Sequence, residues 1–154
     1  MTLGDDKMTL TSPALARPQG GETYRLAVPN TASAPKIARD FVASLLLVSR
    51  HQDLVSDAQL CVTEVVTNAH RHTRTPLIRV AVTINRKQVT VFVADDKPWA
   101  LPVPQRSRPG HERDSGQGLL LVETLAYAWG ATIYGGCSPT TKAVWFTLAK
   151  GAPV

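Results

Sequence analysis

One predicted helix of this chain carries the sequence Glu64-Val65-Val66-Thr67-Asn68-Ala69-His70-Arg71-His72-Thr73. At about 100° per residue, Glu64, Asn68 and His72 form one polar stripe along that helix. The apolar residues of the helix occupy an arc whose centre lies within about 80° of Asn68. They are Leu54, Ala58, Cys61, Val62, Val65, Val66 and Ala69. The stripe therefore borders the buried face, where a carboxylate and a carboxamide need a partner, either neighbouring backbone or a bound ligand or metal.

The order of predicted strands and helices indicates the fold class. Period-two runs of β-branched residues predict the strands, and apolar spacings of three and four predict the helices. The expected elements are a strand over 24–28, helices over 34–48 and 53–72, strands over 77–84 and 89–95, a helix from 116 to near 129–130, and strands over 131–134 and 142–149. Thr31 or Ser33 is available to cap the first helix. This order predicts an α+β fold, a two-layer α/β sandwich whose mixed, mostly antiparallel sheet carries the helices on one face.

Length and composition predict one ordered domain between two tails. The chain has 154 residues, of which 44% are hydrophobic, and this suffices for an ordinary core without disulfides. Residues 1–22 lack a sustained period and are expected to form a flexible tail, residues 23–150 the domain, and residues 151–154 a short C-terminal tail. Residues 97–115 are rich in Pro, Arg, Ser and Gly. A loop of this length typically serves as a lid or a binding segment.

Charge, cysteine content and hydropathy exclude several classes of protein. The net charge of +5 would suit binding to the phosphate backbone of a nucleic acid. The basic residues are scattered, however, and the sequence has no helix-turn-helix signature or aromatic platform, so no direct contact with nucleic acid is expected. Cys61 and Cys137 have no metal-ligand spacing and favour a reducing cytosol. No segment approaches the ~20 apolar residues of a membrane span, and the residues around Asp5 and Asp6 lack the basic start of a signal peptide. A cytoplasmic protein without membrane contact is expected.

Three features converge on nucleotide chemistry. The Asn68 carbonyl oxygen suits Mg²⁺, which prefers a few oxygen ligands, and Glu64, one turn earlier, is placed to deprotonate a hydroxyl or a water. Asp95 ends a strand, where its carboxylate could accept from an exocyclic amine such as that of adenine, or serve as an ordinary turn residue. Gly116 and Gly118 open a helix, where backbone N–H groups approach phosphate closely, although a hinge for the lid explains the two glycines as well.

In their order along the chain, these motifs resemble those of a known superfamily. Glu64-x-x-x-Asn68, Asp95 and Gly116-x-Gly118-Leu119 resemble the N, G1 and G2 boxes of the gyrase, heat-shock-chaperone and histidine-kinase ATPases. The chain resembles more closely the small anti-sigma-factor serine/threonine kinases and their actinobacterial relatives. The phrases that carry this closer likeness are Val62-Thr63-Glu64-Val65-Val66-Thr67-Asn68-Ala69, Gly116-Gln117-Gly118-Leu119-Leu120-Leu121-Val122, Ala128-Trp129-Gly130 and Lys142-Ala143-Val144-Trp145-Phe146.

The resemblance implies a Bergerat-type histidine-kinase-like ATPase fold over residues 23–150, with ATP and Mg²⁺ between the long helix and a mobile lid. It implies a role for each matching residue. These roles are Asn68 as the Mg²⁺ ligand, Glu64 as the catalytic base toward a substrate serine, Asp95 as the adenine selector, His72 as a lid or phosphate contact, and Gly116, Gln117, Gly118 and Leu119 as the phosphate-binding segment. The partners implied are a sigma factor and an anti-anti-sigma antagonist protein, and a homodimer is left open.

The sequence departs from the superfamily pattern at two places. Lys97 stands where the Asp-x-Gly pattern has glycine, and Ala143 stands near the position of a threonine that contacts adenine. Lys142, at the start of the last strand, is expected to be a solvated strand-edge lysine. Two functions follow. One is a regulator that binds ATP, sequesters a sigma factor and phosphorylates its antagonist, and the other is a non-catalytic protein-interaction module with weak or lost nucleotide binding.

Overall fold

A computed structural model describes residues 21–99 and 114–151 of the chain, and the backbone alone for residues 114–118. The predicted lid falls mostly outside these ranges, as do nearly all of the predicted N-terminal tail and the last three residues. The elements, in chain order, are β1 (Glu22–Pro29), α1 (Ala34–Val48), a 3₁₀ turn (Gln52–Leu54), α2 (Val55–His72), β2 (Leu77–Ile84), β3 (Gln88–Asp95), α3 (Asp114–Leu125), β4 (Ala128–Tyr134) and β5 (Thr141–Ala149).

The five strands form one sheet in the order β1-β2-β3-β5-β4. All four pairings are antiparallel. Alternate residues of every strand face one core, which they share with all three helices. Its largest fully buried side chains include Trp129, Phe146, Leu46 and Ile78. The α+β prediction is therefore confirmed: the helices cover one face of an antiparallel sheet as a two-layer sandwich.

The first helix begins as the sequence predicts, with a different use of its two candidate caps. Ser33 occupies the N-cap position, but its side chain makes no capping hydrogen bond. Instead, the Ser33 N–H donates to Thr31 Oγ1 over 3.3 Å, and Pro35 lies in the first turn, where a missing N–H costs nothing. Both predicted residues thus contribute to the helix start, Thr31 through its side chain.

The predicted end of the third helix is wrong. The last helical hydrogen bond joins the Ala126 N–H to the Val122 carbonyl, and the next residue with a backbone partner, Tyr127, already donates to Thr147 of β5. Trp129, expected in the helix, lies in β4 and is fully buried. Pairing with β5 satisfies this backbone and buries a large aromatic side chain, and both gains outweigh the local preference of an alanine-rich segment for helix.

No helix in the described part of the chain is long and apolar enough to cross a membrane.

Candidate functional site

Helix α2 holds the predicted polar stripe at the border of its buried face. Its buried residues are Ala58, Cys61, Val62, Val65, Val66 and Ala69. Glu64 and Asn68, one turn apart, are half-buried, whereas His72 is exposed at the end of the helix. Within the described residues, neither the Glu64 carboxylate nor the Asn68 carboxamide forms a hydrogen bond. Because no other group of the described chain occupies them, both side chains are available to a ligand.

The chemistry of this pair suits a magnesium–phosphate ligand. The described residues contain no group of three or more His, Cys, Asp or Glu side chains that could hold a metal by themselves. Mg²⁺ is commonly bound through one or two protein oxygens, with waters and substrate phosphates completing its shell. One carboxamide oxygen from Asn68, with Glu64 one turn away, therefore fits a metal that arrives together with a phosphate.

The phosphate-binding segment predicted from the sequence lies in the first turns of α3. Gly116 and Gln117 belong to the first turn, where backbone N–H groups have no partner within a helix. Helix α3 packs beside α2, so the N-terminus of one helix and the polar stripe of the other belong to neighbouring elements. Leu119, also predicted for this segment, is 5% exposed and has its side chain in the core.

The carboxylate of Asp95 lies at the end of β3 on the core face of the sheet. It follows Val89, Val91 and Val93 with period two, and only 4% of the residue is exposed. Asp95 Oδ1 accepts the Lys97 backbone N–H over 2.8 Å, which fixes the turn after the strand. Asp95 thus occupies the sheet end, as the sequence predicts, with its carboxylate directed toward the helix layer.

Lys142 is the residue whose environment was predicted wrongly. It is the register partner of Asp95 in the β3–β5 pairing, and it is 3% exposed rather than solvated. Its Nζ donates to Asp95 Oδ1 and Oδ2, each over 2.9 Å. The third acceptor is the carbonyl oxygen of Lys97, also at 2.9 Å. The three N–H bonds of the ammonium are thereby satisfied, and the buried charge of Asp95 is neutralised within the chain.

Lys97, which stands in place of the superfamily glycine, has a second contact. Its Nζ donates to the His72 backbone carbonyl over 3.4 Å. The carbonyl groups of the last helical turn lack partners within the helix and attract cations. Lys97 therefore links the turn after β3 to the C-terminal end of α2, while Lys142 links the same turn to β5.

The two ends of the predicted nucleotide site thus differ in their readiness for a ligand. At the α2 end, a carboxamide and a carboxylate have no partner in the described chain. At the Asp95 end, both carboxylate oxygens already accept from Lys142. The residues of the α2 end fit a metal-bound phosphate, and the Asp95 end in this conformation does not offer a free carboxylate to an adenine amine.

Lys142 and its position could have been found from the alternation of β5. Val144, Phe146 and Leu148 are core residues at spacings of two, so the same phase places Lys142 on the core face. A lysine on the core face needs a buried partner, and Asp95 is in the same phase on its own strand. The exposure usual for lysine concealed this signal.

Comparison with known proteins is informative at the level of the family. The family model for the histidine kinase-like ATPase domain matches residues 28–147, which is well over half of the chain. A comparison with curated proteins gives no match. The antiparallel sheet with its helices on one face agrees with the α/β sandwich of this family. The chain therefore belongs to the histidine kinase-like ATPase domain family.

Proposed function

We propose that this chain is an ATP-binding regulator of the anti-sigma-factor kinase type, which sequesters a sigma factor and phosphorylates a serine of an antagonist protein. Membership of the histidine kinase-like ATPase domain family supports nucleotide binding. The observation that carries the kinase step is the half-buried pair Glu64 and Asn68, which has no hydrogen-bond partner in the described chain.

Each residue of the site has a defined task in this proposal. Asn68 holds Mg²⁺, which neutralises phosphate charge when bound. Glu64 accepts the proton of the substrate serine hydroxyl as a general base. The N–H groups of Gly116 and Gln117 at the start of α3 bind phosphate oxygens. Phosphoryl transfer depends mostly on positioning and charge neutralisation, and a carboxamide, a carboxylate and backbone amides can supply both.

A second function, a protein-interaction module without catalysis, is favoured by one specific observation. Both oxygens of Asp95 are engaged by Lys142, and Lys97 replaces the glycine beside that carboxylate. In such a module, the Glu64 and Asn68 pair would be a remnant of the family site.

Calorimetry with MgATP separates the two functions. A regulator of the kinase type binds MgATP, and Asn68→Ala weakens this binding at least tenfold, about 1.4 kcal/mol, because the metal loses its protein ligand. Gln59→Ala, which removes a half-buried amide about two and a half turns earlier on α2, is the matched control and should bind as the wild type does. A wild type that does not bind MgATP would favour the interaction module, and equal binding by Asn68→Ala would show that Asn68 does not hold the metal.

Transfer of label from [γ-³²P]ATP tests the role of Glu64. The wild-type protein, added to an extract of its source cells, should label a serine of one protein. Glu64→Gln should abolish this labelling while MgATP binding persists, because the amide cannot accept the proton. Asp57→Asn removes a carboxylate two turns earlier on the same face of α2 and should label normally. Equal labelling by wild type and Glu64→Gln would show that Glu64 is not the base.

A further inference from the structure

We propose that Lys142 is an internal competitor of the nucleotide base: its ammonium group holds the Asp95 oxygens that an adenine amine needs, and it thereby sets the nucleotide affinity of the chain. This inference rests on the ATP binding of the proposed function and names the residue that limits it. Lys97 and Lys142, the two lysines whose groups contact Asp95, have no part in the kinase chemistry described above.

The ammonium group of Lys142 binds both oxygens of the Asp95 carboxylate. Asp95 and Lys142 face each other in register on adjacent strands, and their side chains are 3% and 4% exposed. The ammonium donates its three N–H bonds to Asp95 Oδ1, Asp95 Oδ2 and the Lys97 carbonyl, each at 2.9 Å. Oδ1 also accepts the Lys97 N–H, so an incoming amine finds at most one unused lone pair, on Oδ2.

An amine of a purine and the ammonium of Lys142 compete because both are N–H donors that require the same carboxylate. The contact of the ammonium with the carboxylate is an attraction of opposite charges as well as a hydrogen bond, whereas the adenine amine offers the same carboxylate a hydrogen bond without a charge. For each bond to the ammonium that is broken, adenine therefore gains a hydrogen bond from an uncharged donor, and the exchange lowers the net affinity. Burial of the ion pair strengthens this effect, since a released ammonium has to find water or another acceptor.

Lys97 connects the turn after β3 to α2. Its carbonyl accepts from Lys142, and its Nζ reaches the His72 carbonyl. The turn after β3 is thereby connected to β5 on one side and to the end of the Asn68 helix on the other. Release of Lys142 frees the carboxylate and removes one of the three hydrogen bonds that hold this turn.

Removal of the ammonium group tests the proposal directly. Lys142→Met keeps the length of the aliphatic chain, and we expect it to bind MgATP at least tenfold more tightly than the wild type, about 1.4 kcal/mol. The preference for ATP over GTP should rise as well, because a freed Asp95 accepts from the adenine amine but opposes guanine O6, which is itself an acceptor. Lys87→Met removes the same charge from an exposed turn and should leave both quantities unchanged.

Lys142→Gln is the second variant, for the case in which the uncompensated carboxylate prevents Lys142→Met from folding. Its amide still donates to Asp95, but without charge, so MgATP affinity should lie between those of the wild type and Lys142→Met. Circular dichroism establishes that each variant is folded before calorimetry. Unchanged or weaker MgATP binding in the folded Lys142 variants, or no binding in any of them, would overturn the proposal.

The result is distinguishable from failure of the proposed function. If the wild type does not bind MgATP but the Lys142 variants do, the competitor is established and the wild-type chain acts without nucleotide. If the wild type binds MgATP through Asn68 and the Lys142 variants bind it no more tightly, the proposed function stands and the competitor is refuted.

Discussion

The buried ion pair between Asp95 and Lys142 should make a large contribution to the stability of the fold. Lys142→Met leaves the Asp95 carboxylate with one hydrogen bond, from the Lys97 N–H, in a site where its side chain is 3% exposed. Removal of one partner of a buried pair costs about 3–5 kcal/mol, because the remaining charge is uncompensated. For a chain of this size, such a loss lowers the melting temperature by roughly 10 °C.

A double-mutant cycle isolates the contribution of the pair. In Asp95→Asn/Lys142→Met no charge remains buried, so the double variant should be more stable than the sum of the single changes predicts, with a coupling energy of about 2 kcal/mol or more. Urea unfolding, followed by circular dichroism, gives the free energy of unfolding of each variant. Lys87→Met, which removes a charge from an exposed turn, should stay within about 0.5 kcal/mol of the wild type.

Two outcomes would refute this reasoning. A free energy of unfolding for Lys142→Met within about 1 kcal/mol of the wild-type value would mean that the carboxylate is hydrated or protonated at no great cost. A coupling energy near zero would mean that the two side chains do not depend on each other. Either result would place Lys142 outside the buried position that its three hydrogen bonds define.

Two further predictions concern the helices. Burial, together with two neighbouring carboxylates, raises the pKa of the Cys61 thiol to about 12 from 9.0. At pH 8, iodoacetamide should therefore label the exposed Cys137 and should not label Cys61 until urea is added. The free energy of unfolding should fall as the pH rises from 9.0 toward 12, because in this range the thiol ionises only in the unfolded chain. Equal labelling rates would contradict this. Leu46→Ala should lower the free energy of urea unfolding by about 2–5 kcal/mol, because Leu46 is fully buried. Leu47→Ala, at a position that is 53% exposed, should lower it by less than about 0.5 kcal/mol. Similar losses in the two variants would mean that α1 buries a different face.

Long periodic segments were predicted with correct boundaries because their pattern alone decides them. The predicted helix over 34–48 and the predicted strand over 77–84 coincide with α1 and β2. In each, the buried residues recur at the period of the element, so the local sequence and the tertiary environment favour the same structure. The start of α2 differs from the predicted residue 53, because the 3₁₀ turn Gln52–Leu54 precedes a helix that begins at Val55.

The end of α3 could not be predicted from local preference. Ala126, Tyr127 and Ala128 suit a helix, but Tyr127 donates to Thr147 and Ala128 pairs with the same residue across β4 and β5. These partners lie about twenty residues further along the chain. A pairing between distant segments is absent from any short window of sequence, and it decides where the helix stops.

The candidate site likewise has one part that a short stretch of sequence predicts and one part that depends on distant segments. The stripe of Glu64, Asn68 and His72 follows from the period of a single helix, so the sequence was sufficient for it. The contact of Asp95 with Lys142 joins residues on two strands and depends on the register of β3 with β5. The alternation of β5 places Lys142 on the core face, but the residue of β3 that it meets there is set by the pairing of two distant segments, which no short window of sequence contains.

The effects expected of Lys142 on stability and on nucleotide affinity have opposite signs, and this opposition identifies its role. A purely structural ion pair predicts that Lys142→Met loses stability and binds MgATP no more tightly. A competitor predicts that the same variant loses stability and gains affinity for MgATP, because the Asp95 carboxylate is no longer bound by Lys142 and can accept from the adenine amine. At one fixed, saturating concentration, MgATP should then raise the free energy of unfolding of Lys142→Met by about 1.4 kcal/mol more than that of the wild type, which corresponds to tenfold tighter binding. A larger stabilisation of Lys142→Met than of the wild type by the same MgATP concentration would support the competitor, and equal stabilisation of the two proteins would leave Lys142 a purely structural partner of Asp95.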